Sequence, residues 1–329
     1  MHLDTAGTVT VISGLTLKNV SSGTTAVEIS AVVARNTTVI HPSPSLTMQG
    51  VTCQQAVAVS TPNTPSSGAC LYLQSFGVDA LIKNMRATET NAERGGAVLV
   101  ELSRSSATSM PTLEVRESYF ADCSATYGGA IMVVALAQGV SMTIIDQCEF
   151  YGCLASLEGG SVSLYGVNLH LRNTYIKDSG ATWGGGVFMT QQAATAAWSG
   201  DSTRTLALMG NVTITDCYAN SAGGGIYMNQ GANLDLRCRD SGTAMCLTLI
   251  HNEAVEAGGA VYCDGAASLG DLTTTRVVAR NNSASCGAVL AVQSLNVVTG
   301  SLINTSLELT GTNFLHHTIS CLPQTLYLG

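Results

Sequence analysis

The chain has 329 residues, 11% of them charged and 46% hydrophobic, with 34 glycines, 11 cysteines and a formal net charge of −8. Its 14 Lys and Arg residues cannot lay down the basic footprint that nucleic-acid phosphates require, so nucleic acid is excluded as a partner. The length admits one elongated domain or two compact ones.

The chain opens in strand-like sequence, Val9-Thr10-Val11-Ile12, followed by Gly14-Leu15-Thr16-Leu17-Lys18-Asn19. No basic start or apolar core marks a signal peptide, and the expectation is a mature chain or a segment of a larger protein. Residues 1–80 form irregular first coils. Leu46-Thr47-Met48-Gln49-Gly50-Val51-Thr52-Cys53 repeats the opening pattern, while His41-Pro42-Ser43-Pro44 and the stretch from Thr61 to Gly68 are turn-rich loops that should protrude. Ala69-Cys70-Leu71-Tyr72-Leu73 is a worn form of the motif that follows.

Residues 81–292 repeat one theme: a large apolar residue, a Cys, Ser or Asn three positions on, a spacer, two glycines, a small residue and a β-branched run. Phe120-Ala121-Asp122-Cys123 leads to Gly128-Gly129-Ala130-Ile131, and Phe150-Tyr151-Gly152-Cys153 to Gly159-Gly160-Ser161-Val162. Ile176 leads to Gly184-Gly185-Gly186-Val187, Ile214 to Gly223-Gly224-Gly225-Ile226, and Leu249 to Gly258-Gly259-Ala260-Val261. Met85 opens a degenerate copy ending at Gly95-Gly96-Ala97-Val98, and Val278 opens the last, ending at Cys286-Gly287-Ala288-Val289. The anchors step by 35, 30, 26, 38, 35 and 29 residues.

A period near thirty residues means units that cannot bury an apolar face alone. Between the markers run short alternating segments such as Leu113-Glu114-Val115-Arg116, which is strand periodicity. No stretch sustains a helical period. The fold class is therefore all-β, a single parallel β-helix solenoid of about ten coils over 1–329. Coils stack about 4.8 Å apart, so Phe120 should lie on Phe150 and near Ile176. The Gly pairs supply corners that a Cβ forbids. Residues 293–329 form the last coil, with no amphipathic helix to cap the open end, which again suggests a segment.

The uncharged stretch from Cys123 to Ile145 is long enough to cross a bilayer. Gly128, Gly129, Gln138, Gly139, Ser141 and Thr143 interrupt it, so no membrane span is expected.

The 11 cysteines bear on compartment. Cys238 and Cys246 bracket a short polar loop as a local disulfide would. Cys123 and Cys153 share a motif position in neighbouring coils, inside disulfide reach, with Cys148 a competitor for either. An odd count leaves a free thiol or an intermolecular link; the alternative is reduced cysteine used as a small ladder residue. Five Asn-X-Ser/Thr sequons stand at Asn19, Asn36, Asn211, Asn281 and Asn304. Together these point to an extracellular or cell-surface glycoprotein.

The corner followed by Gly128-Gly129-Ala130-Ile131 resembles the repeats of chlamydial polymorphic outer-membrane proteins. It is similar also to the wider group of right-handed β-helix proteins of pectin-lyase-like fold, which includes surface proteins of algae and protists. Asn252 and Asn281 hold that motif's Asn position, whereas Cys123, Cys153, Ser179 and Cys217 depart from it. The resemblance covers about 81–292. It implies a right-handed β-helix with a structural or adhesive role, whose partners are other surface or matrix proteins, further copies of itself, or glycans.

The same fold group includes polysaccharide lyases and hydrolases, which set carboxylates of successive coils side by side for acid–base work. Here Asp178 and Asp216 fall on adjacent coils beside Lys177 and are the candidate catalytic pair. The competing reading is corner aspartates that face water. His316-His317 has no third ligand nearby in sequence, and calcium-loop repeats are missing, so no metal or cofactor is expected. Trp198, in the long insertion of 193–205, is a candidate stacking platform for a glycan.

Overall fold

The computed structural model describes residues 2–4, 10–19, 21–22, 28–30, 45–60, 65–76, 79–102, 112–136, 141–191, 206–229, 232–235, 247–264, 268–269, 276–292 and 306–310. Every regular element among them is a β-strand. The strands form sheets of ten, seventeen and five, with a further pair joining Ser21–Ser22 to Val57–Ala58.

One repeat shows how the sequence produces this. Thr112–Arg116 and Tyr119–Ala121 lie in the seventeen-stranded sheet, Ser124–Tyr127 in the five-stranded sheet and Ile131–Ala135 in the ten-stranded sheet. The next strand, Ser141–Asp146, then pairs in parallel with Thr112–Arg116. The chain thus visits the same sheets in turn, once per repeat. This topology is compatible with a parallel β-helix or solenoid.

Sharp corners separate the strands, and each needs a left-handed backbone. In this repeat they are Glu117, Asp122 and Gly128, with φ of 49°, 52° and 63°. The first corner recurs at Asn84, Gln147, Asn173 and Asn211, and the second at Asn19, Gln55, Glu89, Asp178, Asp216, His251 and Asn281. Asn and Asp tolerate this region best among residues with a side chain. Among the described residues the third corner is glycine throughout, for a packing reason as well. A Cβ on Gly128 would lie 2.4 Å from Ile131 O, and one on Gly129 would lie 2.0 Å from Gly160 O in the next repeat.

Among the described residues, the residue after a left-handed Asn, Asp, Glu, Gln or His corner turns inward, and a short donor side chain there bonds back to the carbonyl two residues earlier. Ser118 Oγ donates to Arg116 O at 2.7 Å and Thr174 Oγ1 to Arg172 O at 2.7 Å. Cys148 Sγ reaches Asp146 O at 3.3 Å and Cys217 Sγ reaches Thr215 O at 3.4 Å. This is why the motif accepts Cys, Ser and Thr at one place. All are small, and all carry a hydrogen that gives the carbonyl a second donor beside the backbone N–H of the preceding repeat.

Inside, Phe120 stacks on Phe150, ring centroids 5.0 Å apart and 9° from parallel. Ile176, Ile214 and Leu249 continue that column in register. Three alignments differ from the sequence expectation. Ala87 rather than Met85 pairs with Phe120, and Ala279 rather than Val278 pairs with Leu249. Asn282, buried, takes the inward position, which leaves Asn281 at the exposed corner.

The described parts of the uncharged stretch from Cys123 to Ile145 are strands and the corners that join them, and among the described residues no helix is long and apolar enough to cross a membrane.

The expected Cys123–Cys153 disulfide is not formed. Both are buried thiols that neighbour each other, donating to Ala121 O at 3.5 Å and to Tyr151 O at 3.6 Å. An in-register parallel ladder keeps the two Cβ atoms at the strand spacing, above the roughly 3.8 Å that a disulfide prefers. The bond that is present joins Cys53 to Cys70, Cα atoms 6.0 Å apart, and Cys286 is disulfide-bonded as well. Cys238 and Cys246 lie outside the described residues.

Candidate functional site: an exposed corner and an aromatic face

Asp178 and Asp216 sit at the second corner of adjacent repeats. The pairings Lys177↔Thr215 and Gly180↔Tyr218 place them opposite one another. The fold therefore brings the two carboxylates to the same position, as the repeat spacing implied. Their surroundings are open: the side chains are 59% and 38% exposed. Asp178 Oδ2 lies 3.8 Å from Lys177 Nζ. Asp216 accepts a hydrogen bond from Thr215 Oγ1 at 3.0 Å and lies 3.5 Å from His251 Nδ1. His251 Nε2 and Asn281 Nδ2 are 2.9 Å apart. The corner is thus a water-facing ladder, Asp216–His251–Asn281, with Asp178 next along. The two aspartates share one solvated edge.

Burial holds Glu158 above the usual range, and this is offset in part by the hydrogen bond it accepts from Tyr165 Oη.

Among the described residues no group of three or more His, Cys, Asp or Glu side chains is placed to hold a metal ion. His316, His317 and Trp198 lie outside the described residues, as do the sequons Asn36 and Asn304. The sequons Asn19, Asn211 and Asn281 are exposed, and each occupies a left-handed corner. Asn211 Nδ2 also donates to Asn173 Oδ1 of the preceding repeat at 3.0 Å.

Sequence reasoning missed an aromatic face between the first and second corners. Tyr119 and Tyr175 share one outward column with Glu149 between them, and Tyr151 stands in the next column beside Lys177. The ring centroids of Tyr119 and Tyr151, and of Tyr151 and Tyr175, are each 5.6 Å apart. Arg86 lies 4.4 Å from the Tyr119 ring centroid. The signal was present in the residues flanking the buried anchors Phe120, Phe150 and Ile176, because neighbours of an inward strand residue point outward.

Comparison with protein-family models, curated proteins and solved structures gave no match.

Proposed function

We propose that the chain is a non-catalytic structural or adhesive module of an extracellular or cell-surface glycoprotein, built as a right-handed parallel β-helix of about ten coils. The observation that carries this reading is the ladder of the seventeen-stranded sheet, which keeps its register from repeat to repeat. One column alone pairs Thr16, Thr52, Arg86, Tyr119, Glu149, Tyr175, Thr213, Thr248, Val278 and Glu308 in register. One strand per coil in the ten-stranded sheet supports the coil number. The handedness follows from the near-universal right-handed crossover between parallel strands. Such a solid interior, stacked at about 4.8 Å per coil, makes a stiff rod about 45–50 Å long. A rod of this kind suits spacing or contact with other surface proteins, further copies of itself or glycans. The Cys53–Cys70 bond and the exposed sequon corners support an oxidising, glycosylating compartment.

The competing reading is an enzyme on acidic polysaccharides using Asp178 and Asp216. An assay of the wild-type chain and the Asp178→Asn, Asp216→Asn double variant on acidic glycans separates the two. The rod reading expects no cleavage by either. Cleavage by wild type that vanishes in a double variant with an unchanged circular-dichroism spectrum would replace it.

A further inference from the structure

Two apolar clusters lie apart from the interior core, on the outer side of the ten-stranded sheet. Leu99, Met132 and Val134 form one with Tyr72 and Tyr127, and Phe188, Ala222 and Tyr227 form the other with Trp183 and Tyr262. Tyr165 packs against both. One polar repeat separates them. Its Glu158 pairs with Tyr127 on one side and Trp183 on the other, and its Ser163 pairs with Met132 and Phe188. The Gly159 corner folds these two residues together, since a Cβ there would lie 3.0 Å from Ser163 Cβ. Both polar groups are short of partners. Glu158 is half-buried, and among the described residues its carboxylate accepts one hydrogen bond, from Tyr165 Oη, and pairs with no cation. Arg94, farther along the same column, is held by Glu101 at 3.3 Å. Ser163 Oγ is buried without a hydrogen-bond partner, beside the Tyr165 hydroxyl. A desolvated carboxylate calls for a cation, and a buried hydroxyl for a partner.

We propose that Glu158, flanked by the rings of Tyr127, Tyr165 and Trp183, receives the ammonium group of a lysine side chain presented by a partner protein. The residue types carry the assignment. Trp and Tyr rings attract a cation through their faces, Trp most strongly, and the attraction grows where water is excluded. A carboxylate among such rings adds the opposite charge. The chain's net charge of −8 favours a cationic partner over an anionic one.

The same groups discriminate among cations. Glu158 Oε2 already accepts from Tyr165, so the paired oxygens that an arginine fork requires are not both open. A lysine ammonium is a compact charge with three donors, which suits one remaining carboxylate oxygen and the Ser163 hydroxyl. A quaternary ammonium has no N–H to give either group. The lysine stem is apolar and matches the aromatic walls, whereas a neutral sugar leaves the Glu158 charge unanswered.

The inference rests on the module reading above, for which it names a partner's chemistry, and it can fail while the glycan assay still supports that reading. The test titrates the full chain with Nα-acetyl-lysine amide, followed by nuclear magnetic resonance. The comparison ligands are the Nε-acetylated and Nε-trimethylated forms, Nα-acetyl-arginine amide and butylamine. Saturable binding of the lysine compound is expected, with loss on acetylation and weaker binding of the trimethyl, arginine and butylamine ligands. Glu158→Gln keeps an acceptor for Tyr165 and removes the charge, so it should fold as wild type, checked by thermal melting, and bind the lysine compound about tenfold or more weakly. Equal binding of the acetylated form, or full affinity in folded Glu158→Gln, overturns the proposal. So does tighter binding of the trimethyl or arginine compound, and tighter binding of butylamine would assign a free amine in place of a partner's lysine. The ligand comparisons on wild-type chain decide the matter even where the variant fails to fold.

Discussion

Asn282 Oδ1 accepts two hydrogen bonds from Asn252, one from its backbone N–H at 2.9 Å and one from its side-chain amide at 3.0 Å. Asn252 also donates from Nδ2 to Ile214 O at 3.0 Å and accepts at Oδ1 from the Cys217 N–H at 3.1 Å. One buried side chain thereby links three successive repeats. Truncation leaves buried main-chain groups without partners, each worth about 1–3 kcal/mol. Asn252→Ala is expected to lower stability by about 2–4 kcal/mol. Asn281→Ala, at the exposed left-handed corner, should cost about 1 kcal/mol, the smaller of the two losses. Urea midpoints measure both, and a larger loss at Asn281 would reverse the register described here.

Gly129 and Gly210 make a matched pair of tests. A Cβ at Gly129 would sit 2.0 Å from Gly160 O and 2.7 Å from Leu154 O, both main-chain atoms of the next repeat, whereas one at Gly210 meets nothing within 4 Å. Gly129→Ala should therefore prevent a soluble folded chain or cost at least about 3 kcal/mol, as overpacking against rigid backbone does. Gly210→Ala should be close to neutral. Expression yield and melting temperature of the two variants give the comparison.

The interior thiols predict an alkaline limit to stability. Burial pushes Cys148, Cys217 and Cys263 up to about 12, from an ordinary value of 9.0. Below pH 9 both folded and unfolded chains keep these protons, so the thiols make no pH-dependent contribution there. Between pH 9 and 12 only the unfolded chain releases them, and stability falls by up to about 1.4 kcal/mol per pH unit for each thiol. Urea midpoints should drop from pH 8 to pH 10, with a shallower drop in Cys217→Ala. Because the thiolate is the reactive form, iodoacetamide at pH 8 should label these three cysteines only after denaturation.

The Cys53–Cys70 bond closes a loop with a sequence separation of 17, for which loop-closure entropy gives about 3 kcal/mol. Cys53→Ala with Cys70→Ala should lose about that much in a urea titration. Dithiothreitol should lower the wild-type midpoint and leave the double variant less affected. No change in either case would show that the bond contributes nothing.

The vertical order of this fold was legible because Phe120 and Phe150 are the same residue in the same frame, and the Gly pairs mark where each frame closes. What happens across a repeat was not. Cys53 stands in the column of Ala87 and Phe120, while Cys70 bonds to Ala97, which bonds in turn to Ala130. The disulfide therefore joins two different ladders, and a search for equal positions up and down the axis passes over it. Asn281-Asn282 defeated the alignment for a simpler reason: either Asn suits either place, and only the inward turn of Asn282 decides. The non-glycine corners Asn84, Glu117 and Gln147 share a backbone conformation but no residue type, so no motif announces them. For Asp178 and Asp216 the adjacency could be read from spacing. Their exposure to water is what the competing reading, corner aspartates that face solvent, expects.

The main-chain bonds of each repeat go to the repeats before and after it, as when the Gly96 N–H meets Gly128 O and the Gly129 N–H meets Gly159 O. A whole turn is accordingly the natural quantum of growth for this protein. A duplicated turn would find a matching neighbour on either side, and offsets as unequal as 26 and 38 residues already coexist along the axis. One residue gained inside a strand, by contrast, would swap every inward side chain for an outward one. Evolution of such a chain should proceed by copying and deleting turns, with small insertions confined to the segments between strands.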